Sequence, residues 1–119
     1  MTKILIVEDE PIVAEAMSMV LAGAGHQIVG IAADADSAIW RAAAAQPDLV
    51  LMDIKLANNS DGIEAARRLQ ADRPVPVIFV SSYLDSRTRE RAAVVRPVGY
   101  LVKPYSPQKL LEIVSALSA

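Results

Sequence analysis

The chain contains no cysteine. Disulfides and thiolate metal sites are therefore excluded. Aromatic residues make up only 4% of it, so its core must be aliphatic. It has no basic excess: 12 Lys and Arg against 14 Asp and Glu give a net charge of −2. Nucleic-acid binders usually carry the opposite balance, so direct nucleic-acid binding is not expected. No apolar run is long enough to cross a bilayer, and no signal peptide precedes the first apolar run. A soluble, cytoplasmic protein without membrane contact is the expectation. A lone histidine, His26, follows Gly25 in what reads as a turn, so catalysis is not expected of it.

What is present is aliphatic. The hydrophobic share is 53% over 119 residues, enough to cover both faces of a parallel sheet in one domain, 1–119. Strand-like runs at Ile4–Val7, Ile28–Ala32, Leu49–Met52, Val77–Val80 and Gly99–Val102 alternate with helix-like segments. Pro11 suits a helix start, and Ile12, Val13, Ala16, Met17, Val20 and Leu21 recur at helical spacing. Asp34 or Asp36 could cap a second helix, running to about Gln46. The polar stretch 57–62 reads as a loop before a third helix, from about Ile63 to Ala71. A fourth helix starts at Asp85 or Ser86 and is barred by Pro97. A fifth opens at Pro107, with Leu110, Ile113, Val114 and Leu117 on one face. Five βα units in series predict an α/β fold: a doubly wound, flavodoxin-like, five-stranded parallel sheet flanked by five helices. Strand order 2-1-3-4-5 is one of the two common arrangements of this kind.

The chemistry sits at the ends of those runs. Glu8 and Asp9 follow the first, Asp53 the third, Ser81 the fourth and Lys103 the fifth. In the order 2-1-3-4-5 the first and third strands are neighbours, so the three acids meet, and open α/β sheets bind ligands at such carboxyl ends. Converging acids repel one another and call for a cation. Mg²⁺, with its oxygen ligands and retained waters, suits them. Asp53 can then attack phosphorus as a carboxylate nucleophile, with the metal and Lys103 offsetting charge on the phosphoryl oxygens.

Four stretches carry a resemblance: residues 4–11 (Ile-Leu-Ile-Val-Glu-Asp-Glu-Pro), 47–54 (Pro-Asp-Leu-Val-Leu-Met-Asp-Ile), 77–82 (Val-Ile-Phe-Val-Ser-Ser) and 99–104 (Gly-Tyr-Leu-Val-Lys-Pro). Together they resemble the receiver domain of two-component response regulators, over essentially the whole chain. The resemblance implies that Asp53 is the phosphoacceptor. It implies that Asp9 binds Mg²⁺ directly, Glu8 through water, and Lys55 through its carbonyl. Ser81 is then the switch hydroxyl, Tyr100 the aromatic that follows it, and Lys103 the phosphoryl contact, often with a cis bond to Pro104. The phosphoryl donor would be a sensor histidine kinase or a histidine phosphotransfer protein. The output partner would dock on the surface of helix 4, strand 5 and helix 5, and the protein would be a monomer or a phosphorylation-dependent dimer. It would be a switch that catalyses its own phosphorylation and dephosphorylation, not a turnover enzyme. Three departures stand out: Ala57 replaces a usual proline, the loop before Asp61-Gly62 is one residue longer than usual, and Arg96-Pro97-Val98 replaces a usual small-residue turn. Arg87, Arg89, Arg91 and Arg96 crowd the fourth helix and read as a solvated face, with an acidic partner as the alternative. Rival readings are a receiver-like binding module without phosphorylation and an aspartyl phosphatase; Lys55, two residues past Asp53, argues against the second.

Overall fold

Aliphatic runs bury on both faces when a sheet is covered from both sides. In the computed structural model, which describes residues 2–118, Ile4, Leu5, Ile6 and Val7 are all buried, as are Val77, Ile78, Phe79 and Val80. These runs form β1 (Lys3–Val7), β2 (Gln27–Ala32), β3 (Leu49–Asp53), β4 (Val77–Ser81) and β5 (Gly99–Val102). All neighbours pair in parallel, in the order β2-β1-β3-β4-β5. The helices are α1 (Pro11–Gly23), α2 (Ala35–Ala45), α3 (Gly62–Asp72), α4 (Ser86–Ala92) and α5 (Pro107–Ser118).

Successive strand residues point to opposite faces. Leu5, Val7, Val50, Met52, Val77 and Phe79 join Ala38 of α2, Ile63, Ala66 and Leu69 of α3 and Ala92 of α4 in one core. Ile4, Ile6, Leu49, Leu51, Ile78 and Val80 join Met17 and Leu21 of α1 and Leu110 and Val114 of α5 in the other. The alternation fixes the register, since a one-residue slip would exchange the two cores.

Aspartates start three of the helices. Asp34 accepts from the backbone N–H of Ser37 at 2.8 Å, Asp61 from Ile63 at 2.9 Å and Asp85 from Thr88 at 2.8 Å. Each satisfies an orphan donor of the first turn. The Ser37 N–H and hydroxyl hold Asp34, and the Thr88 hydroxyl and N–H hold Asp85, below the ordinary carboxylate range.

Three expectations change. The fourth helix is short: α4 ends at Ala92, and residues Ala93–Val95 tighten into a 3₁₀ turn that closes on Arg96 in the left-handed region, φ 49°. In α1 the core side is Ala14, Met17 and Leu21, while Ile12 is 85% exposed and Ala16 is exposed as well. Ile12 lies in the first turn of the helix and faces solvent. In α5, Leu117 is 41% exposed and Leu111 packs partly against the core instead. His26 lies in the turn between α1 and β2, its N–H bonded to the Leu21 carbonyl at 3.1 Å. Among the described residues no helix is long and apolar enough to cross a membrane.

Candidate functional site

The sheet order reverses between β1 and β3, and the crevice at such a reversal collects the residues beyond the strand ends. Val7 pairs with Met52, so Glu8 and Asp53 emerge side by side. Asp53 pairs with Val80 and Ser81 with Val102, which sets Ser81 and then Lys103 along the same rim. Glu8 is 3% exposed, Asp53 6% and Ser81 8%. Among the described residues these are the buried polar or charged ones, and all three lie at this end of the sheet.

The Lys103 ammonium donates to Glu8 Oε1 at 2.7 Å and to Asp53 Oδ2 at 2.8 Å. Burial alone would pull the lysine pKa down. The hydrogen bonds to Asp53 and Glu8 overcome that and hold it above the ordinary lysine value. Lys103 acts on Asp9 only through its charge, the weakest of the influences on that carboxyl. Desolvation, its hydrogen bond to Glu8 and the Glu8 charge raise its pKa above the ordinary value. One carboxylate oxygen each from Glu8, Asp9 and Asp53 lie within 4.8 Å of one another. Three acids and one ammonium leave about −2 at the site. The donors are hard oxygens, and an octahedral ion of about 2.0–2.1 Å bond length that keeps several waters fits that spacing and charge.

The remaining predicted residues flank this centre. The Lys55 N–H donates to Asp53 Oδ1 at 3.2 Å, while its side chain is exposed. The Ser81 hydroxyl donates to the Tyr83 carbonyl at 3.0 Å and accepts from the Tyr83 N–H at 3.2 Å. It thus faces the β4–α4 turn. Tyr100 is half-buried, its ring centroid 6.3 Å from that of Phe79. The Lys103–Pro104 bond is cis.

Asp53 is held from beneath by α3. The Gly62 N–H donates to the Ile54 carbonyl at 2.7 Å, and a Cβ on Gly62 would lie 1.9 Å from the Asp53 carbonyl oxygen. Only glycine permits that approach. The loop before it turns through two consecutive left-handed residues, Asn58 and Asn59, at φ 60° and 57°. Asparagine tolerates that conformation better than most residues.

Asp9, Asp53 and Lys103 open into a cleft of about 710 Å³. Asp61, Thr88 and Arg91 also line it, and sequence reasoning did not place them there. Arg91 forms an ion pair with Asp61, and Arg89 stacks on Tyr100 with its guanidinium 4.7 Å from the ring centroid. Two of the four arginines expected on a solvated face are therefore engaged within the chain. The only advance signal was the three-residue spacing of Thr88 and Arg91, which puts them on one side of a helix.

Comparison with known proteins decides the family. The response regulator receiver domain family matches residues 4–115. The chain belongs to this family. It is 35% identical over 116 residues to the phyllosphere-induced regulator PhyR of Methylorubrum extorquens, covering 96% of this chain and 42% of that protein. It is 35% identical over 109 residues to the transcriptional regulatory protein PdtaR of Mycobacterium tuberculosis, covering 92% of this chain and 53% of PdtaR. The receiver domain thus spans about half the length of these curated relatives. Among solved structures it is similar to the signal receiver domain of a modulated diguanylate cyclase from Desulfovibrio desulfuricans. That match has a TM-score of 0.89 and 34% identity, over 98% of this chain and 92% of that one. A CheY-like receiver domain protein from Methanospirillum hungatei superposes with a TM-score of 0.90 at 25% identity, over 98% and 93% of the two chains. Membership places this chain among the receiver modules that act as phosphoacceptor switches in two-component signalling.

Proposed function

We propose that Asp53 takes a phosphoryl group from the phosphohistidine of a sensor kinase or phosphotransfer protein. The observation that carries this is the Lys103 ammonium shared between Glu8 and Asp53 at 2.7 and 2.8 Å, beside a third carboxylate. Asp53 Oδ attacks phosphorus; the P–O bond forms as the P–N bond breaks, and the electron pair leaves on the donor imidazole. Glu8 and Asp9, with the Asp53 carboxylate and the Lys55 carbonyl, would hold Mg²⁺, which neutralises charge on the transferred oxygens. Lys103 keeps contact with the phosphoryl group from the β5 side. Water attack on phosphorus later breaks the P–O bond, returns the carboxylate and releases inorganic phosphate.

The new group carries about −1.5 to −2 charge and three acceptor oxygens. Ser81 gives up the Tyr83 carbonyl and donates to one of them. Tyr100 follows into the space vacated, and the face of α4, β5 and α5 changes shape. Exposed Val94, Val98 and Val102 support this reading, as apolar side chains that an output partner would cover. Nothing acidic stands two residues past Asp53, where a phosphatase would want a general acid; Lys55 does.

The test is incubation with acetyl phosphate and Mg²⁺. A mass gain of one phosphoryl group on Asp53, abolished by chelation and by Asp53→Asn, is expected. Undiminished labelling of Asp53→Asn would sink the assignment.

A further inference from the structure

Arg91 is a cation at the candidate site that the phosphoacceptor reading does not use. It comes from α4, lines the same cleft as Asp53 and Lys103, and pairs with Asp61. Asp61 is itself fixed against Asp53. It caps α3 through the Ile63 N–H at 2.9 Å, pairs with Lys55 in an isolated antiparallel bridge, and precedes Gly62, which packs on the Asp53 carbonyl. Arg91 therefore lines the cleft while paired to an acid anchored next to the phosphoacceptor.

Both side chains of the pair keep substantial exposure, 54% for Arg91 and 37% for Asp61. Ion pairs this open contribute little and exchange readily. A phosphoryl group on Asp53 would offer the guanidinium a stronger partner: more charge, and oxygens that match its planar fork. Resting on the phosphoacceptor reading, we infer that Arg91 is a second phosphoryl-binding cation, which leaves Asp61 for the phosphoryl oxygens when Asp53 is modified. Asp61 is then a competing anion that holds Arg91 in reserve. The same helix carries Arg89 on the Tyr100 ring, so a shift of α4 toward the cleft reaches Tyr100 directly. That route to the output face is additional to the Ser81 hydroxyl.

The experiment measures beryllofluoride, a phosphoryl mimic, binding to the Mg²⁺-loaded chain by fluorine NMR. Four proteins are compared: wild type, Arg91→Ala, Arg91→Lys and Asp61→Asn. Loss of one charge-assisted contact should weaken binding about tenfold in Arg91→Ala. Arg91→Lys should lose about threefold, because an ammonium keeps the charge without the fork. Asp61→Asn keeps a competent helix cap but frees Arg91, so it should bind about threefold more tightly. Mg²⁺ affinity measured without beryllofluoride should stay within about threefold of wild type in the Arg91 variants, because Arg91 is not among the metal ligands. The opposite signs of Arg91→Ala and Asp61→Asn separate this from a merely structural ion pair, whose loss from either side would act alike. Equal weakening in both, or wild-type affinity in Arg91→Ala, overturns the proposal and leaves the phosphoacceptor reading intact. A wild-type chain that takes no beryllofluoride overturns both.

Discussion

At the N-terminal ends of the strands, polar groups are tied to backbone. The Asp48 carboxylate accepts from the Lys3 N–H at 2.9 Å, Gln70 donates to the Val75 carbonyl at 3.1 Å, and the Arg73 guanidinium donates to the Pro47 carbonyl. At the C-terminal ends, Glu8 and Asp53 are nearly buried and share a single ammonium, with Asp9 beside them. The first end is arranged as polar groups in a stable protein usually are, each satisfied by a neutral partner. The second gathers like charges that repel, and stability there depends on Lys103 and on whatever cation joins it. The difference separates an end that holds the fold together from one that keeps reactive groups poised.

Two glycines, one at each end, give the largest contrast. Gly62→Ala would drive a methyl into the Asp53 carbonyl, a contact of 1.9 Å with backbone that cannot retreat. The expected loss is roughly 4 kcal/mol, at the upper end for single substitutions. Gly25 sits in the α1–β2 turn at φ 95°, and a methyl added there would meet nothing within 4 Å. Gly25→Ala therefore meets only the conformational penalty, roughly 1–2 kcal/mol. Urea denaturation of the two variants measures the gap. Equal losses would mean that α3 does not hold the site as the structure indicates.

Removing the central cation is next. Lys103→Met leaves Glu8 and Asp53 facing one another without compensation, and breaking a buried pair this way costs about 3 kcal/mol. Millimolar Mg²⁺ should restore more than half of that, because it binds the folded acids and not the unfolded chain. Asp48→Ala at the opposite end should lose about 1 kcal/mol, with no response to Mg²⁺. Chemical denaturation with chelator and with Mg²⁺ distinguishes the two ends; a Lys103→Met protein indifferent to Mg²⁺ would refute the comparison.

Much of this was legible in the sequence because the strands write their own boundaries. An unbroken aliphatic run ends at the residue that carries chemistry, and parallel pairing brings the ends of β1, β3, β4 and β5 to one rim. The positions of Glu8, Asp53, Ser81 and Lys103 follow from that geometry. The helices were harder. Ile12 and Leu117 match the helical period, but a period gives a direction and not the length of sheet available to cover it. The contact of Arg91 with Asp61 spans 30 residues, and no local pattern announced it.

The smallest effect is the most discriminating. Asp9 carries a raised pKa because burial and the neighbouring Glu8 oppose its charge. Its ionised form is thus less favourable in the folded protein than in the unfolded chain. The penalty is complete above its folded pKa, shrinks as pH falls through that pKa, and is gone below about 3.9, where both states are protonated. Asp9→Asn should accordingly melt higher than wild type at pH 7 in chelator, by on the order of 2 °C, and no higher at about pH 3. Saturating Mg²⁺ should invert that order at pH 7, since the wild type gains a ligand set that the variant lacks. A site built only for stability would show the opposite at neutral pH, with the aspartate stabilising in chelator. Thermal melts at the two pH values, with and without Mg²⁺, decide between an acid kept for its ion and one kept for the fold.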